Sequence, residues 1–248
     1  MAFLKLALIG DPVAHSASPG LHRAFLAEAG LAGSYEPLRV ARGRGAAAIA
    51  ELRAAGYRGL NITTPLKEEA HAVCTELDPL ARAATSVNTI VFDGAHIRGY
   101  NTDGTGALAA MRKAADNVSM NGLRILLLGA GPTARAAMEA FLAERARVVL
   151  WNRTEATTEA LADRRPVHRW EAGMEADAAF STLPPDADLP ALLLAALRTM
   201  PVVVDANYGP RATLGATLER PVEDGFEMLR AGARASFERF AADPQEGV

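Results

Sequence analysis

Apolar and polar positions along this chain follow two periods in turn, and each change of period marks an element. Phe3 to Ile9 is an apolar run of strand length that stops at Gly10-Asp11-Pro12. Ser18-Pro19 then opens a helical spacing that lasts to Glu28 and ends at Gly30. A strand over Ser34 to Val40, a helix over Gly45 to Ala55 and a strand over Gly59 to Thr63 continue the alternation, which predicts parallel pairing through right-handed crossovers. Val87 to Phe92 and His96 to Gly99 flank Asp93-Gly94, a dipeptide favoured in two-residue turns, so an antiparallel pair is expected there. A helix should follow over Gly104 to Ala115.

The polar stretch Asp116 to Gly122 breaks the pattern, and a fresh unit begins with the strand Arg124 to Leu128. A glycine turn, an alanine-rich helix from Pro132 to about Arg145 and a strand over Val148 to Trp151 outline a βαβ mononucleotide-binding unit. Ala178 to Ser181 and Val202 to Asp205 read as further strands. From Glu223 to Phe240, apolar residues recur at helical spacing at Phe226, Leu229, Ala233, Phe237 and Phe240.

Composition narrows the function classes. A length of 248 residues suits two modest domains, each with its own core. Half of the residues are apolar, 22% are charged and the net charge is −3, which argues against disorder and against a nucleic-acid partner, and for small-molecule chemistry. Cys74 stands alone, and no HExxH, CxxC or Cys/His cluster has metal-ligand spacing, so a reducing compartment and a metal-free site are expected. The first ten residues are too short an apolar run for a signal peptide, and no stretch is long enough to span a bilayer. A cytoplasmic protein with no membrane partner is expected, as a monomer or homodimer.

Two sets of residues carry candidate chemistry. Gly129-Ala130-Gly131-Pro132-Thr133-Ala134 is a GxGxxA form of the dinucleotide fingerprint. The first glycine permits the tight turn, the second lets the backbone approach a pyrophosphate, and the helix N-terminus offers free N–H groups. Pro132 costs nothing there, because the first helical N–H has no partner in any case. After the next strand comes Asn152-Arg153-Thr154, where an NAD-binding protein would carry Asp or Glu for the ribose hydroxyls. A guanidinium at Arg153 can instead pair with a 2′-phosphate, so NADP (NADPH) is favoured, with NAD as the second candidate.

The other set lies in the first hundred residues, at strand ends and strand-to-helix turns: Ser16 and Ser18, Asn61 to Lys67, Ser86 to Thr89, and Tyr100 to Gly104. The carboxyl ends of strands in open α/β sheets border the ligand crevice, so hydroxyls and amides there can converge on a polyhydroxylated substrate. Each also has a purely structural explanation: Ser18 and Asp103 as helix caps, Asn61 and Asn101 as turn residues, Lys67 as a solvated lysine.

Taken together, these motifs resemble the shikimate dehydrogenase family over nearly the whole chain. The resemblance is carried by Ser-x-Ser-Pro at Ser16, Asn-Ile-Thr-x-Pro-x-Lys at Asn61, Val-Asn-Thr at Val87, Asn-Thr-Asp-x-x-Gly at Asn101, Gly-Ala-Gly at Gly129 and Asn-Arg-Thr at Asn152. Later echoes are Asp205-x-x-Tyr208-x-Pro210 and Gly225-x-x-Met228-Leu229. It implies an α/β fold of two domains separated by a cleft: a substrate-binding domain over residues 1–103 plus 224–248, and a Rossmann-type NADP-binding domain over 104–223. The implied activity is reversible, NADPH-dependent reduction of 3-dehydroshikimate to shikimate, on the route to chorismate and the aromatic amino acids. Lys67 and Asp103 are implied as the catalytic pair, with Ser16, Ser18, Asn61, Thr63, Asn88 and Tyr208 on the substrate. Gly129, Ala130, Gly131, Pro132, Thr133, Ala134, Asn152, Arg153 and Thr154 are implied on the cofactor, with Ser181, Thr182 and Leu183 along its nicotinamide half and Gly225 beside them.

This chain departs from the family pattern in places. Gly232 stands where a Gln usually follows Met-Leu-x-x, Thr85-Ser86 replaces Gly-Ala before Val-Asn-Thr, and Thr157 and Thr158 occupy the region of a second basic residue after Asn-Arg-Thr. A site that reads hydroxyls is sensitive to such losses. They keep open a paralogue acting on quinate, aminoshikimate or a related cyclic hydroxy acid, and a weakly active regulatory homologue.

Overall fold

The computed structural model describes residues 3–242. Its elements are β1 (Leu4–Gly10), α1 (Ser18–Glu28), β2 (Gly33–Arg39), α2 (Gly45–Ala54), β3 (Gly59–Ile62), α3 (Lys67–Val73), β4 (Glu76–Leu77), α4 (Pro79–Ala84), β5 (Thr89–Asp93) and β6 (His96–Tyr100). There follow α5 (Asp103–Ala114), β7 (Arg124–Leu128), α6 (Pro132–Ala143), β8 (Arg147–Trp151), α7 (Glu155–Ala162), β9 (Val167–Arg169), β10 (Ala178–Ser181), α8 (Ala191–Thr199), β11 (Val202–Asp205), α9 (Leu214–Leu218) and α10 (Phe226–Ala241). The chain folds into two compact units, one running to Asp103 and resuming at Arg230, the other spanning Gly104–Leu229.

The first unit is built on a six-stranded mixed sheet in the order β2-β1-β3-β5-β6-β4. β1 pairs in parallel with β2 and β3, whereas β5 runs antiparallel to β3 and β6. The β5–β6 loop is Gly94-Ala95, since Asp93 already pairs with His96. Glycine rather than aspartate leads that loop because its first position needs a left-handed φ, here 53°. Side chains alternate across the strands, so both faces must be covered. Ala7, Ile9, Leu60, Ile62 and Ile90 pack against α2, α3 and α4 through Ile49, Leu66, Ala70 and Ala81. Leu6, Leu8, Tyr35 and Val91 face the other way, where they meet Phe240 of α10, and Ala233 and Phe237 of that helix pack on Phe25 and Leu26 of α1.

The second unit holds a five-stranded sheet, all parallel, in the order β11-β10-β7-β8-β9. Ile125, Leu127, Val148, Leu150 and Phe180 pack on α5 and α6 through Ala110, Met111, Ala137 and Phe141, with Met228 in the same cluster. Leu126, Leu128, Val149 and Val203 project from the opposite face onto Leu193 and Leu197 of α8 and Leu214 and Leu218 of α9. This is a doubly wound layer arrangement, and helices on both faces explain why the strands are near-continuous apolar runs rather than alternating ones.

Candidate functional site

In the first unit, sheet register assembles the polar cluster. Asn61 lies opposite Thr89, and Thr89 opposite Tyr100. Because β5 runs antiparallel to both neighbours, the start of β5 shares a sheet edge with the ends of β3 and β6. Three segments therefore converge: the one leaving β3 with Thr63 and Lys67, the one entering β5 with Asn88, and the one leaving β6 with Asn101, Thr102 and Asp103.

Lys67 opens α3 and Asp103 opens α5, and their side chains form an ion pair between Nζ and Oδ2, each at most 14% exposed. A buried ion pair is sustained only where further hydrogen bonds complete it. Asn88 supplies one, donating from Nδ2 to Asp103 Oδ1 at 2.7 Å and to Thr102 Oγ1 at 3.1 Å. Its Oδ1 accepts from the Thr102 N–H at 2.9 Å and from Thr89 Oγ1 at 3.0 Å. The Asp103 N–H donates to Asn101 Oδ1, and Asn101 Nδ2 in turn to the Ser86 carbonyl, at 3.0 and 2.9 Å. Asn61 accepts from Tyr35 Oη at 2.9 Å and donates from Nδ2 to Ser236 Oγ at 3.0 Å and Thr89 Oγ1 at 3.2 Å. Asn88 thus has no amide hydrogen left for a ligand, while Asn61 keeps a lone pair on Oδ1.

The remaining expected residues of this unit lie at neighbouring strand ends. Thr63 follows β3 half-buried, its N–H bonded to the Ile9 carbonyl at 2.9 Å. Ser18 is buried in the first turn of α1, and Ser16 Oγ accepts its N–H at 3.2 Å, reaching over the N-cap residue Ala17. Tyr35 and Ser236, both buried, are participants that sequence reasoning missed. The signal for Ser236 was a small hydroxyl inside the apolar stripe of α10; Tyr35 offered none, since an aromatic in a strand reads as core. Beneath Tyr35, His22 is fully buried with its ring stacked at 4.2 Å, and neither ring nitrogen has a partner among the described residues. Burial pushes its pKa down from 6.5 to about 3.

The second unit offers backbone instead. Strand order reverses about β7, so the crevice beyond its carboxyl end, between the ends of β8 and β10, is the place where such sheets take ligands. Gly129 sits there at φ 106°, and a Cβ on it would lie 2.4 Å from Thr182 Oγ1. Gly131 is the N-cap of α6, contributes no side-chain cap, and faces open space where its Cβ would be. Pro132 and Thr133 begin the helix, while Ala130 and Ala134 are buried beneath it. An uncapped helix N-terminus beside open space fits the pyrophosphate of a dinucleotide.

Asn152 bonds the Thr154 carbonyl at 3.1 Å, and Arg153 is exposed with no carboxylate at ion-pair distance among the described residues. Beside Asn152 a hollow of about 320 Å³ is lined by Trp151, Glu155, Thr158, Arg169 and Trp170. Ser181 is buried, Thr182 Oγ1 donates to the Leu128 carbonyl at 3.0 Å, and Asn207 Nδ2 holds the Leu183 carbonyl at 2.8 Å. What Ser181 to Leu183 present is mainly main chain. Gly225 packs on Ala206, where a Cβ would fall 2.1 Å from a carbonyl oxygen, and Tyr208 stands edge-on to Phe226 at 6.5 Å. Among the described residues no group of three or more His, Cys, Asp or Glu is placed to hold a metal, and no helix is long and apolar enough to cross a membrane.

Comparison with known proteins bears on both regions. Residues 8–90 match the family described as shikimate dehydrogenase substrate binding domain, and residues 110–176 the one described as shikimate / quinate 5-dehydrogenase. A shikimate dehydrogenase (NADP(+)) of Xanthomonas campestris is 34% identical over 256 residues, covering 96% of this chain and 90% of that protein. One from Acidiphilium cryptum is 46% identical, but over 167 residues, so the match spans 66% of this chain and only 60% of the relative's length. Among solved structures, shikimate 5-dehydrogenase of Thermus thermophilus in complex with NADP(H) and shikimate superposes with a TM-score of 0.84 at 30% identity, covering 97% of this chain and 95% of that one.

Proposed function

We propose one activity for this chain, which belongs to the shikimate dehydrogenase family: reversible reduction of 3-dehydroshikimate to shikimate with NADPH. The observation that carries it is the buried Lys67–Asp103 ion pair held by Asn88. When bound, the cofactor supplies a hydride to the ring ketone carbon. Lys67 stabilises the negative charge growing on the oxygen and delivers the proton that completes the alcohol. Asp103 keeps the ammonium in place and accepts from a neighbouring substrate hydroxyl. In the reverse direction the neutral Lys67 amine would take the hydroxyl proton as the hydride passes to oxidised NADP, when that is bound.

The unit ending at Asp103 is the substrate domain in this reading. Ser16 and Ser18 bind the substrate carboxylate, while Thr63 and the open lone pair of Asn61 take ring hydroxyls. Asn88 acts on the substrate through Asp103, since its own amide hydrogens are engaged. The Gly104–Leu229 unit is the cofactor domain. The Gly129–Ala134 turn takes the pyrophosphate, Asn152 to Thr154 the adenosine end with Arg153 on the 2′-phosphate, and the adjoining hollow the adenine. The main chain of Ser181 to Leu183, with Gly225, lines the nicotinamide half, and Tyr208 closes on the substrate. The reading carries with it a cytoplasmic enzyme, monomeric or homodimeric, supplied with reduced NADP.

The test is oxidation of shikimate with NADP, followed at the reduced-nicotinamide absorbance, beside quinate and beside NAD. Lys67→Ala should lower kcat by roughly 10³-fold with NADP affinity unchanged. A folded, NADP-binding wild type that oxidises quinate or an amino-substituted analogue in preference to shikimate would move the substrate assignment to that compound.

A further inference from the structure

α10 sets one hydroxyl into the polar cluster of the first unit. Ser236 is 1% exposed and lies among apolar residues of its helix, with Ala233 and Phe237 buried on either side. Its Oγ is 2.7 Å from Thr89 Oγ1, 3.1 Å from Thr102 Oγ1 and 3.0 Å from Asn61 Nδ2. One arrangement of protons satisfies all of these groups together. Asn61 donates to Ser236, Ser236 to Thr89, Thr89 to Asn88 Oδ1, and Thr102 to Ser236. Both amide hydrogens of Asn88 are then directed at Thr102 Oγ1 and Asp103 Oδ1, the latter at 2.7 Å.

One turn earlier on the same helical face, Gly232 has no side chain, and a Cβ there would lie 3.2 Å from the Thr102 carbonyl oxygen. The helix therefore rests directly on the residue preceding Asp103, at its backbone through Gly232 and at its hydroxyl through Ser236. From this geometry we infer that Ser236 is a positioning residue for the Asp103 carboxylate, acting through Thr89, Thr102 and Asn88 on the pair that moves the proton.

Among the described residues Ser236 hydrogen-bonds Asn61, Thr89 and Thr102 rather than Asp103 or Lys67. The Thr102 N–H on Oδ1 already sets which way the Asn88 amide faces; with Ser236 donating to Thr89, the Thr89 hydroxyl directs its proton at the same oxygen and tightens that orientation. Without the Ser236 hydroxyl, Asn61 loses an acceptor, Thr89 a donor and Thr102 a partner, all inside a buried cluster where partly satisfied networks are the weak points. A carboxylate allowed to wander by a fraction of an ångström no longer holds the ammonium in the geometry that the reaction needs.

The inference rests on the activity proposed above, so its test carries a readout that does not depend on turnover. In Ser236→Ala, kcat for shikimate oxidation should fall roughly tenfold, with KM for shikimate and affinity for NADP within about twofold of wild type. Alongside, the rate at which an amine-reactive reagent labels Lys67 in the folded protein, read by peptide mapping, should rise several-fold toward that of Asp103→Asn, because the ammonium is less firmly held. Ser236→Thr, which keeps the hydroxyl, should restore slow labelling. Unchanged kcat together with unchanged Lys67 labelling in folded Ser236→Ala overturns the inference. If the wild type does not oxidise shikimate, the activity reading fails while the labelling comparison still decides this one: faster labelling supports it and equal labelling overturns it. Should Ser236→Ala not accumulate as folded protein, Ser236→Cys, which replaces the hydroxyl with a weak thiol donor at similar size, is judged by the same two measurements.

Discussion

In the unit that ends at Asp103 the reactive groups are side chains, and nearly all of them are engaged with one another. Lys67 is bonded to Asp103, Asp103 to Asn88, Asn88 to Thr89 and Thr102, and both hydroxyls to Ser236. In the Gly104–Leu229 unit the candidate groups are main-chain amides around a glycine turn, an uncapped helix start and an exposed arginine, with open space beside them. On the proposed function, the difference follows from what each unit would recognise. A small polyhydroxylated ring offers hydroxyls in fixed directions, and only a rigid set of side chains can match them and also hold a proton donor in place. A pyrophosphate is a large anion that any helix N-terminus attracts, so backbone suffices and side-chain identity there matters less than backbone shape.

If backbone shape is what counts in the second unit, its most damaging single change is a methyl group at Gly129. That residue has φ 106°, and the new Cβ would sit 2.4 Å from Thr182 Oγ1. Gly129→Ala should destabilise the protein by about 3 kcal/mol, the sum of left-handed strain and overpacking, and should weaken NADPH binding further by displacing the turn. Urea unfolding followed by titration of cofactor fluorescence separates the two effects. An alanine tolerated within about 0.5 kcal/mol would mean that the turn is not as constrained as its geometry implies.

Among its described residues the first unit also contains buried groups that break its own rule, His22 the most deeply enclosed ring among them. His22 is fully buried, stacks on Tyr35 and has no hydrogen-bond partner for either nitrogen among the described residues. Its pKa, lowered by burial, falls from 6.5 to about 3 on folding, so between these values the unfolded chain binds the extra proton. Stability from this group is therefore complete above about pH 6.5 and is lost as pH falls toward 3, by about 1.4 kcal/mol per unit. At about pH 4.5 the loss should reach between 2 and 3 kcal/mol. His22→Phe should flatten that limb of the stability curve, measured by denaturant midpoints from about pH 7 to pH 4. If the slope is the same in the variant, other groups govern the acid sensitivity.

How much of this was legible beforehand depends on where the information resides. β7, β10 and β11 fall on their expected residues because each is an unbroken apolar run bounded by polar or glycine residues, and α1 because Ser18-Pro19 and Gly30 bracket it. β4 is two residues long and α4 six, too short to show a period, and the run Ala191–Thr199 is apolar on nearly every face, so it reads equally as strand or helix. The antiparallel seat of β5 beside β3 is not encoded locally at all, yet it is what places Asn88 next to Asp103. The motif residues of the site stood out as hydroxyls and amides at strand ends. That they would satisfy one another depends on α10 returning Ser236 to Thr102 from 134 positions away, which no local pattern records.

The smallest effect tests the exposed charge proposed for the second unit's site. Arg153 is exposed and unpaired among the described residues, unlike Arg169 nearby, which is tied to Glu155. An exposed guanidinium meets a 2′-phosphate through charge-assisted bonds, but in water, so its worth is modest. Arg153→Ala should weaken NADP binding about tenfold, near 1.4 kcal/mol, and leave NAD binding unchanged. Quenching of Trp151 or Trp170, which line the adjoining hollow, gives the affinities directly. Salt provides the sharper discrimination, because screening weakens an exposed ion pair and leaves a backbone hydrogen bond nearly untouched. Wild-type preference for NADP over NAD should therefore shrink as ionic strength rises, whereas the variant's should stay flat. A variant that retains both the preference and its salt dependence would move recognition of the phosphate away from Arg153, with Arg169, which lines the adjoining hollow, the next candidate.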